Sequence, residues 1–318
     1  ALAAARSGAP DAPLRLARLV VDPDQSGIVR ATALEALAAY PARELLSLVA
    51  GALSDPDPLV RRAALAALDP YPADQRGALA ASALSDERLA VRIEAARLLA
   101  DVPDEALPAE QLPARERAWE ELLAVERGNA DTPEAHLNLG LLAWRQDDPA
   151  GAEREYREAL RLYPAFVPAA VNLADLLREA GREEELLEVL RTAVKAAPRQ
   201  ATLHHSLGLA LARAQRTDEA IAALGRAFEL APESPRFAYV YAVALHGAGS
   251  AALALEVLER GLRERPHDPD LLTGLATMLR DAGRIDEALR YARQLASDWP
   301  GDPVAPNLVQ ELEAAAGR

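Results

Sequence analysis

The chain has 318 residues and a formal net charge of −14, from 35 Lys+Arg and 49 Asp+Glu; half of it is hydrophobic but only 4% aromatic. Its apolar surface is therefore mostly Ala and Leu, a composition that favours helices and argues against a disordered chain. The acidity excludes the basic footprint of a nucleic-acid binder, and the lack of cysteine excludes disulfides, thiolate metal sites, Fe–S clusters, a Cys nucleophile and covalently attached haem within the chain.

No apolar run approaches the ~18 residues of a membrane span, so no membrane insertion is expected. Charge is spread evenly, and Lys195 is the only lysine. Ala1 opens the chain and Met278 is its only methionine, as expected of a processed chain or a fragment.

The amino-terminal third repeats every 31 residues. Asp24, Asp55 and Asp86 share a register with Val29, Val60 and Val91, then Arg30, Arg61 and Arg92, then Ala33, Ala64 and Ala95, then Leu37, Leu68 and Leu99, closing on Pro41, Pro72 and Pro103. An apolar i, i+4 pair is the buried stripe of a helix. Segments 12–21, 42–53 and 73–84 are the expected partner helices. The pattern is similar to HEAT repeats, whose signature places an Asp six residues before a Val-Arg pair. That resemblance implies structural ladders of Asp and Arg between neighbouring repeats. About three such units fill 1–104.

Residues 105–130 are expected to be a linker and a connecting helix. Pro103, Pro108 and Pro113 mark a turn region over 101–114. One amphipathic helix over 115–127 then carries Trp119, Leu122, Leu123 and Val125 and seals the next array.

From 131 the period becomes 34. Pro164, Pro198, Pro232, Pro266 and Pro300 align without a gap, as do Leu139, Leu173, Leu207, Tyr241 and Leu275. The next position holds Gly140, Ala174, Gly208, Ala242 and Ala276; later come Ala152, Leu186, Ala220, Ala254 and Ala288, then Tyr156, Leu190, Leu224, Leu258 and Ala292, and then Ala159, Ala193, Ala227, Gly261 and Leu295. Small residues let two helices approach while the larger ones fill the space between them. Gly181, Gly249 and Gly283 fall where a left-handed residue ends a first helix.

This pattern resembles the tetratricopeptide repeat in five units over about 133–302. The stretch Pro-Glu-Ala-His-Leu-Asn-Leu-Gly at 133–140 and Asp-Glu-Ala at 218–220 and 286–288 are typical of that family. Leu186, Leu295 and Ala292 depart from it in size and imply local repacking. Residues 303–316 fit a capping helix. The expected fold is all-α, a HEAT-like solenoid followed by a tetratricopeptide superhelix in one right-handed rod or arc.

No Walker loop, dinucleotide fingerprint, nucleophile elbow or His-Glu-x-x-His occurs, and carboxylates such as Glu183, Glu184 and Glu185 are expected on solvated helix faces. His204 and His205 project about 100° apart on one helix, which does not suit one metal ion. No cofactor, metal site or catalytic residue is expected.

The resemblance implies that first helices of the repeats line a concave binding surface. Its lining would be Leu137, Asn138, Leu141, Trp144 and Arg145; Val171, Asn172, Asp175, Arg178 and Glu179; Thr202, His205, Ser206, Leu209 and Arg213; Arg236, Tyr239, Val240, Val243 and His246; and Thr273, Thr277 and Arg280. Asn138 and Asn172 share one repeat position, and a side-chain amide both donates to and accepts from an extended backbone. Leu137 and Leu141 stand where a carboxylate clamp needs Lys and Asn, which excludes recognition of a C-terminal carboxylate.

The leading reading is a non-enzymatic scaffold for a protein or extended peptide. A second is suggested by similarity to the HEAT–tetratricopeptide tail of bacterial multihaem c-type cytochromes. The chain would then be the haem-free part of an exported, periplasmic electron-transfer protein; otherwise a cytoplasmic location is expected. A third is the substrate-selecting region of an enzyme whose catalytic domain lies outside this chain.

Overall fold

The computed structural model describes residues 1–6 and 9–317. Among them every regular element is helical, with 3-10 turns at Ala81–Ser85, Asp104–Ala106 and Ala109–Gln111. The chain divides into two compact units, Ala1–Leu162 and Tyr163–Arg318.

The first unit begins with α1 (Leu2–Arg6), α2 (Ala12–Val21), α3 (Gly27–Leu37), α4 (Arg43–Ala52), α5 (Pro58–Ala67), α6 (Ala73–Ala80) and α7 (Leu89–Leu98). Local chemistry starts these helices where the 31-residue period requires. Before α5, the Asp57 carboxylate accepts from the Leu59 N–H at 2.9 Å, and Pro58 takes the first helical position, where no N–H is needed. The repeated stripe is buried: Ala33, Ala64 and Ala95 are fully covered, with Leu37, Leu68 and Leu99 beside them.

Arginines tie consecutive 31-residue repeats together. Arg30 pairs with Asp55 of the next repeat, and Arg61 donates to Asp86 at 2.7 and 2.9 Å. Arg61 also reaches back to the Asp55 carbonyl at 2.9 Å, and Arg92 to the Asp86 carbonyl at the same distance. Each guanidinium thus uses its fork to bridge two repeats. Burial pushes the Asp86 carboxyl up, but hydrogen bonds from Arg61 and the Arg88 N–H outweigh it and hold the group below its ordinary range. The ladder runs from each Arg to the next repeat's acid, so Asp24 is not a rung of it.

The next rung comes from outside the period. Arg92 donates to Glu121 at 2.8 and 2.7 Å, and Glu121 lies on α8 (Leu112–Gly128). The same helix stands in the 34-residue register, because Ala118, Leu122 and Val125 precede Ala152, Tyr156 and Ala159 by 34. Ala118 and Leu122 are fully buried, whereas Val125 is exposed. Thus α8 ends the HEAT ladder and also stands where the second helix of a preceding tetratricopeptide unit would be. The stretch expected as a linker is packed rather than loose: Val102 and Leu107 bury themselves beside its two 3-10 turns.

After α8 come α9 (Pro133–Arg145) and α10 (Pro149–Leu162). One apolar cluster runs from Leu16 through Leu122 to Leu142 of α9. The sequence period changes near 104–133, yet the compact unit ends at 162. A period marks which residues recur, while the core follows which helices bury one another.

The second unit comprises α11 (Val167–Glu179), α12 (Glu183–Ala196), α13 (Ala201–Arg213), α14 (Thr217–Leu230), α15 (Pro235–Gly247), α16 (Ala251–Glu264), α17 (Pro269–Asp281), α18 (Ile285–Asp298) and α19 (Ala305–Ala316). They pack as antiparallel pairs, and α13, α15 and α17 each also touch the pair before them. Small-against-large contacts set the spacing. A Cβ on Gly208 would stand 2.6 Å from Leu224 Cγ and 3.1 Å from the Leu224 backbone nitrogen. Leu186, Leu295 and Ala292 are all buried, so the departures in size repack locally without breaking a helix. Helix α19 buries Ala305, Leu308 and Leu312 and leaves its other face to solvent.

Each first helix ends on a left-handed residue. Gly181, Gly249 and Gly283 have φ of +70°, +81° and +75°; Asp147 and Gln215 hold the same position at +58° and +60°. Asp tolerates this region better than Gln does.

Two stability outcomes follow from these positions. Gly208→Leu is expected to overpack the α13–α14 contact and lower stability by about 1–3 kcal/mol or more. An unchanged urea midpoint would show that Gly208 is not at a close approach. Gln215→Gly relieves the left-handed strain, roughly 1–2 kcal/mol, less the entropy that glycine adds to the unfolded chain. A higher thermal midpoint for this variant is the expected result.

Candidate partner-binding site

Within the second unit, three first helices and one second helix line a half-open cavity of about 460 Å³. Helix α11 contributes Val171, Ala174 and Asp175, and α13 contributes Thr202, His205, Ser206, Leu209 and Arg213. Ser234, Arg236 and Phe237 close it at the start of α15, while Leu186 and Leu190 come from α12. Of the residues expected to bind a partner, Asp175, His205, Leu209, Arg213 and Arg236 therefore share one site.

His205 is the unusual member. It is only 4% exposed, and neither ring nitrogen has a hydrogen-bond partner in the protein. Its ring packs on Phe237 with centroids 4.7 Å apart and planes tilted by 37°. The same repeat position is Leu137, Val171, Tyr239 and Thr273 in the other units. That position is half-buried in the other four units, and His205 alone is buried there, beneath the Phe237 ring. Burial, aided by the Arg236 charge, pushes its pKa down to about 4, so the imidazole is neutral at pH 7. Leaving a buried polar group unmatched costs on the order of 1–3 kcal/mol.

The charged groups of the lining are Asp175, Arg213 and Arg236. Asp175 is already engaged by Arg178 at 3.5 Å. Arg213 and Arg236 are exposed, and among the described residues neither forms an ion pair. Other arginines of the unit are paired, Arg216 with Glu219 at 2.6 Å and Arg226 with Glu229 at 2.9 Å.

Other expected lining residues are committed elsewhere. The Asn138 amide donates to both oxygens of Glu126 at 3.1 Å, and Arg97 donates to the same carboxylate at 3.0 Å. Glu126 is 5% exposed, so Asn138 and Arg97 satisfy a buried charge, and Asn138 is not a free rung of an amide ladder. Arg145 pairs with Asp69 and donates to the carbonyls of Arg97 and Leu98. Arg178 spends its charge on Asp175 and Glu179.

Tyr239 packs into the apolar cluster of its own unit, with its ring near Gly274. Leu141, Trp144 and Val243 are exposed apolar residues, while Leu137, Asn172 and His246 are half-buried outside the cavity. Glu183, expected on a solvated face, is half-buried with Oε2 shielded.

Sequence reasoning missed Phe237, Leu186, Leu190 and Ser234. Phe237 had a signal, since its repeat position otherwise holds Ala135, Ala169, Leu203 and Leu271, none of them aromatic. Among the described residues no group of three or more His, Asp or Glu is placed to hold a metal ion, and no helix is long and apolar enough to cross a membrane.

Comparison with known proteins places these repeats in named families. Models of the tetratricopeptide repeat match residues 173–299 and, separately, 114–165 and 137–201; a model of HEAT repeats matches 12–80. The match from 114 includes α8, in keeping with its 34-residue register. The protein FlbA of Caulobacter vibrioides is 40% identical over 74 residues, 23% of this chain, and the match spans 12% of that curated relative's length. A crystal structure of the MamA protein is 22% identical, with a TM-score of 0.46, covering 54% of this chain and 93% of its own. YrrB, described as a tetratricopeptide-repeat protein with an unusual peptide-binding site, is 17% identical, also at 0.46, covering 58% and 95% respectively.

The buried imidazole sets a pH dependence. Its folded pKa of about 4 lies below the ordinary 6.5, so between those values the unfolded chain binds the extra proton. Stability from this group is intact above pH 6.5 and falls as the pH drops towards 4. His205→Leu is expected to flatten that fall in thermal midpoint. Equal slopes for the two proteins would mean that His205 is protonated in the native state.

Proposed function

We propose that this chain, a tetratricopeptide-repeat protein with an amino-terminal HEAT block, is a non-enzymatic scaffold whose first repeat helices bind a protein or an extended peptide. Repeat families of this kind support a protein-interaction role. The observation that carries the reading is the cavity between α11, α13 and α15. Stacking alone requires apolar contacts at the helix interfaces, as at Gly208 and Leu224. It does not require a half-open pocket lined by Thr202, Ser206, Arg213 and a buried histidine. Such a mixture of apolar walls and a few converging polar groups suits a segment that must be both gripped and oriented.

The HEAT block fits this reading as a spacer or second platform, because Arg30, Arg61 and Arg92 are consumed in its own ladder. A photo-crosslinking residue at Leu209 of the full chain, expressed in its own host, tests the proposal. Leu209 lines the cavity, whereas Leu253 on α16 is an exposed control. A discrete polypeptide adduct from position 209 that is absent from 253 is expected. No adduct at 209, or the same adducts at both positions, overturns the reading.

A further inference from the structure

The cavity has a definite chemistry. Two guanidiniums without ion pairs, Arg213 and Arg236, face one carboxylate, Asp175, that Arg178 already engages. Helix α12 adds only Leu186 and Leu190, so with Asp175 matched by Arg178 the lining keeps the charge of two unpaired arginines. In a chain of net charge −14 this is a local reversal of sign.

The His205 ring narrows the choice further. A neutral imidazole has one N–H to donate and one bare nitrogen to accept. Both are buried and without a protein partner. A ligand that satisfies the ring must therefore bring an acceptor and a donor together. A phosphomonoester dianion or a free carboxylate ion brings acceptors only. An acidic residue within a peptide brings a carboxylate acceptor and a backbone N–H donor a few ångströms apart. The apolar walls, Leu186, Leu190 and Phe237, favour a side chain with methylenes to bury, hence glutamate over aspartate.

We propose that this cavity seats an acidic residue of an extended peptide, preferably glutamate, whose carboxylate is held by Arg213 and Arg236 and accepts a hydrogen bond from the His205 ring. The assignment rests on the peptide-binding reading above and adds to it the charge and length of the anchoring side chain. It also gives a use for the unmatched ring: stability is forgone in the free protein and recovered on binding.

Selection of a random, end-blocked twelve-residue peptide library against the intact chain tests it. The selected peptides are then measured by fluorescence anisotropy. A glutamate at one fixed position is expected, and replacing it by glutamine should weaken binding at least tenfold. Arg213→Ala/Arg236→Ala should erase that ratio. Both arginines are exposed, so circular dichroism of the double variant should match the parent. His205→Leu should also bind several-fold more weakly while melting no lower than the parent, a combination that a purely structural histidine would not produce. Peptides selected without an acidic position, or a glutamate-to-glutamine ratio that survives in the double arginine variant, overturn the acidic seat and leave the peptide-binding reading standing. Failure to select any peptide overturns both.

Discussion

Close approach of paired helices is the constraint on which the rest of the molecule depends. A helix of thirteen or fourteen residues cannot bury its apolar stripe alone, and stacking against neighbours is what makes it stable. Close approach needs a small residue on one helix and a larger one opposite. Gly208 against Leu224 meets that need, and Ala242 and Leu258, both fully buried, hold the same two positions in the next unit. Turns are subordinate to this contact. Where the chain has no glycine for the left-handed turn, Asp147 and Gln215 adopt it anyway, because displacing the helix pair would cost more than the strain.

Two repeat systems with different periods must meet in this chain, and α8 is where they do. Its Glu121 continues the arginine ladder of the HEAT block, and its Ala118 and Leu122 occupy the register of the tetratricopeptide units. Glu126 on the same helix is buried, which would be costly for a lone carboxylate. Arg97 from α7 and Asn138 from α9 satisfy it from either side. One helix thus carries an ion-pair continuation and a buried polar hub, and both bind it to neighbours of unlike sequence.

Arginine serves two purposes in this protein. In the HEAT block each of Arg30, Arg61 and Arg92 bridges to a carboxylate, and along the later helices Arg182, Arg216 and Arg284 pair with glutamates three residues on. The exposed helical pairs contribute little stability each, in the range of a few tenths of a kcal/mol. Arg213 and Arg236 follow neither pattern, as Arg199 and Arg263 do not, but they alone line the cavity beside an unmatched histidine. A buried polar group left unsatisfied in an otherwise consistent fold is where function is expected.

Much of the architecture was legible in the sequence by itself. The periods of 31 and 34 residues, the small and large positions and the glycine turns determined an all-α stack, because each depends on contacts between residues at fixed separations along the chain. The same reasoning placed His205, Leu209, Arg213 and Arg236 on one lining, since repeat position dictates helix face. Tertiary structure alone decided which of those side chains are free. Asn138 and Arg145 sit at lining positions, yet Glu126 and Asp69 claim them from other helices. Nothing local in the sequence says that such partners will be within reach. Nor does the sequence disclose that His205 packs against Phe237 without a hydrogen-bond partner, because burial and hydrogen-bond satisfaction are set by what neighbouring helices bring, and only packing determines that.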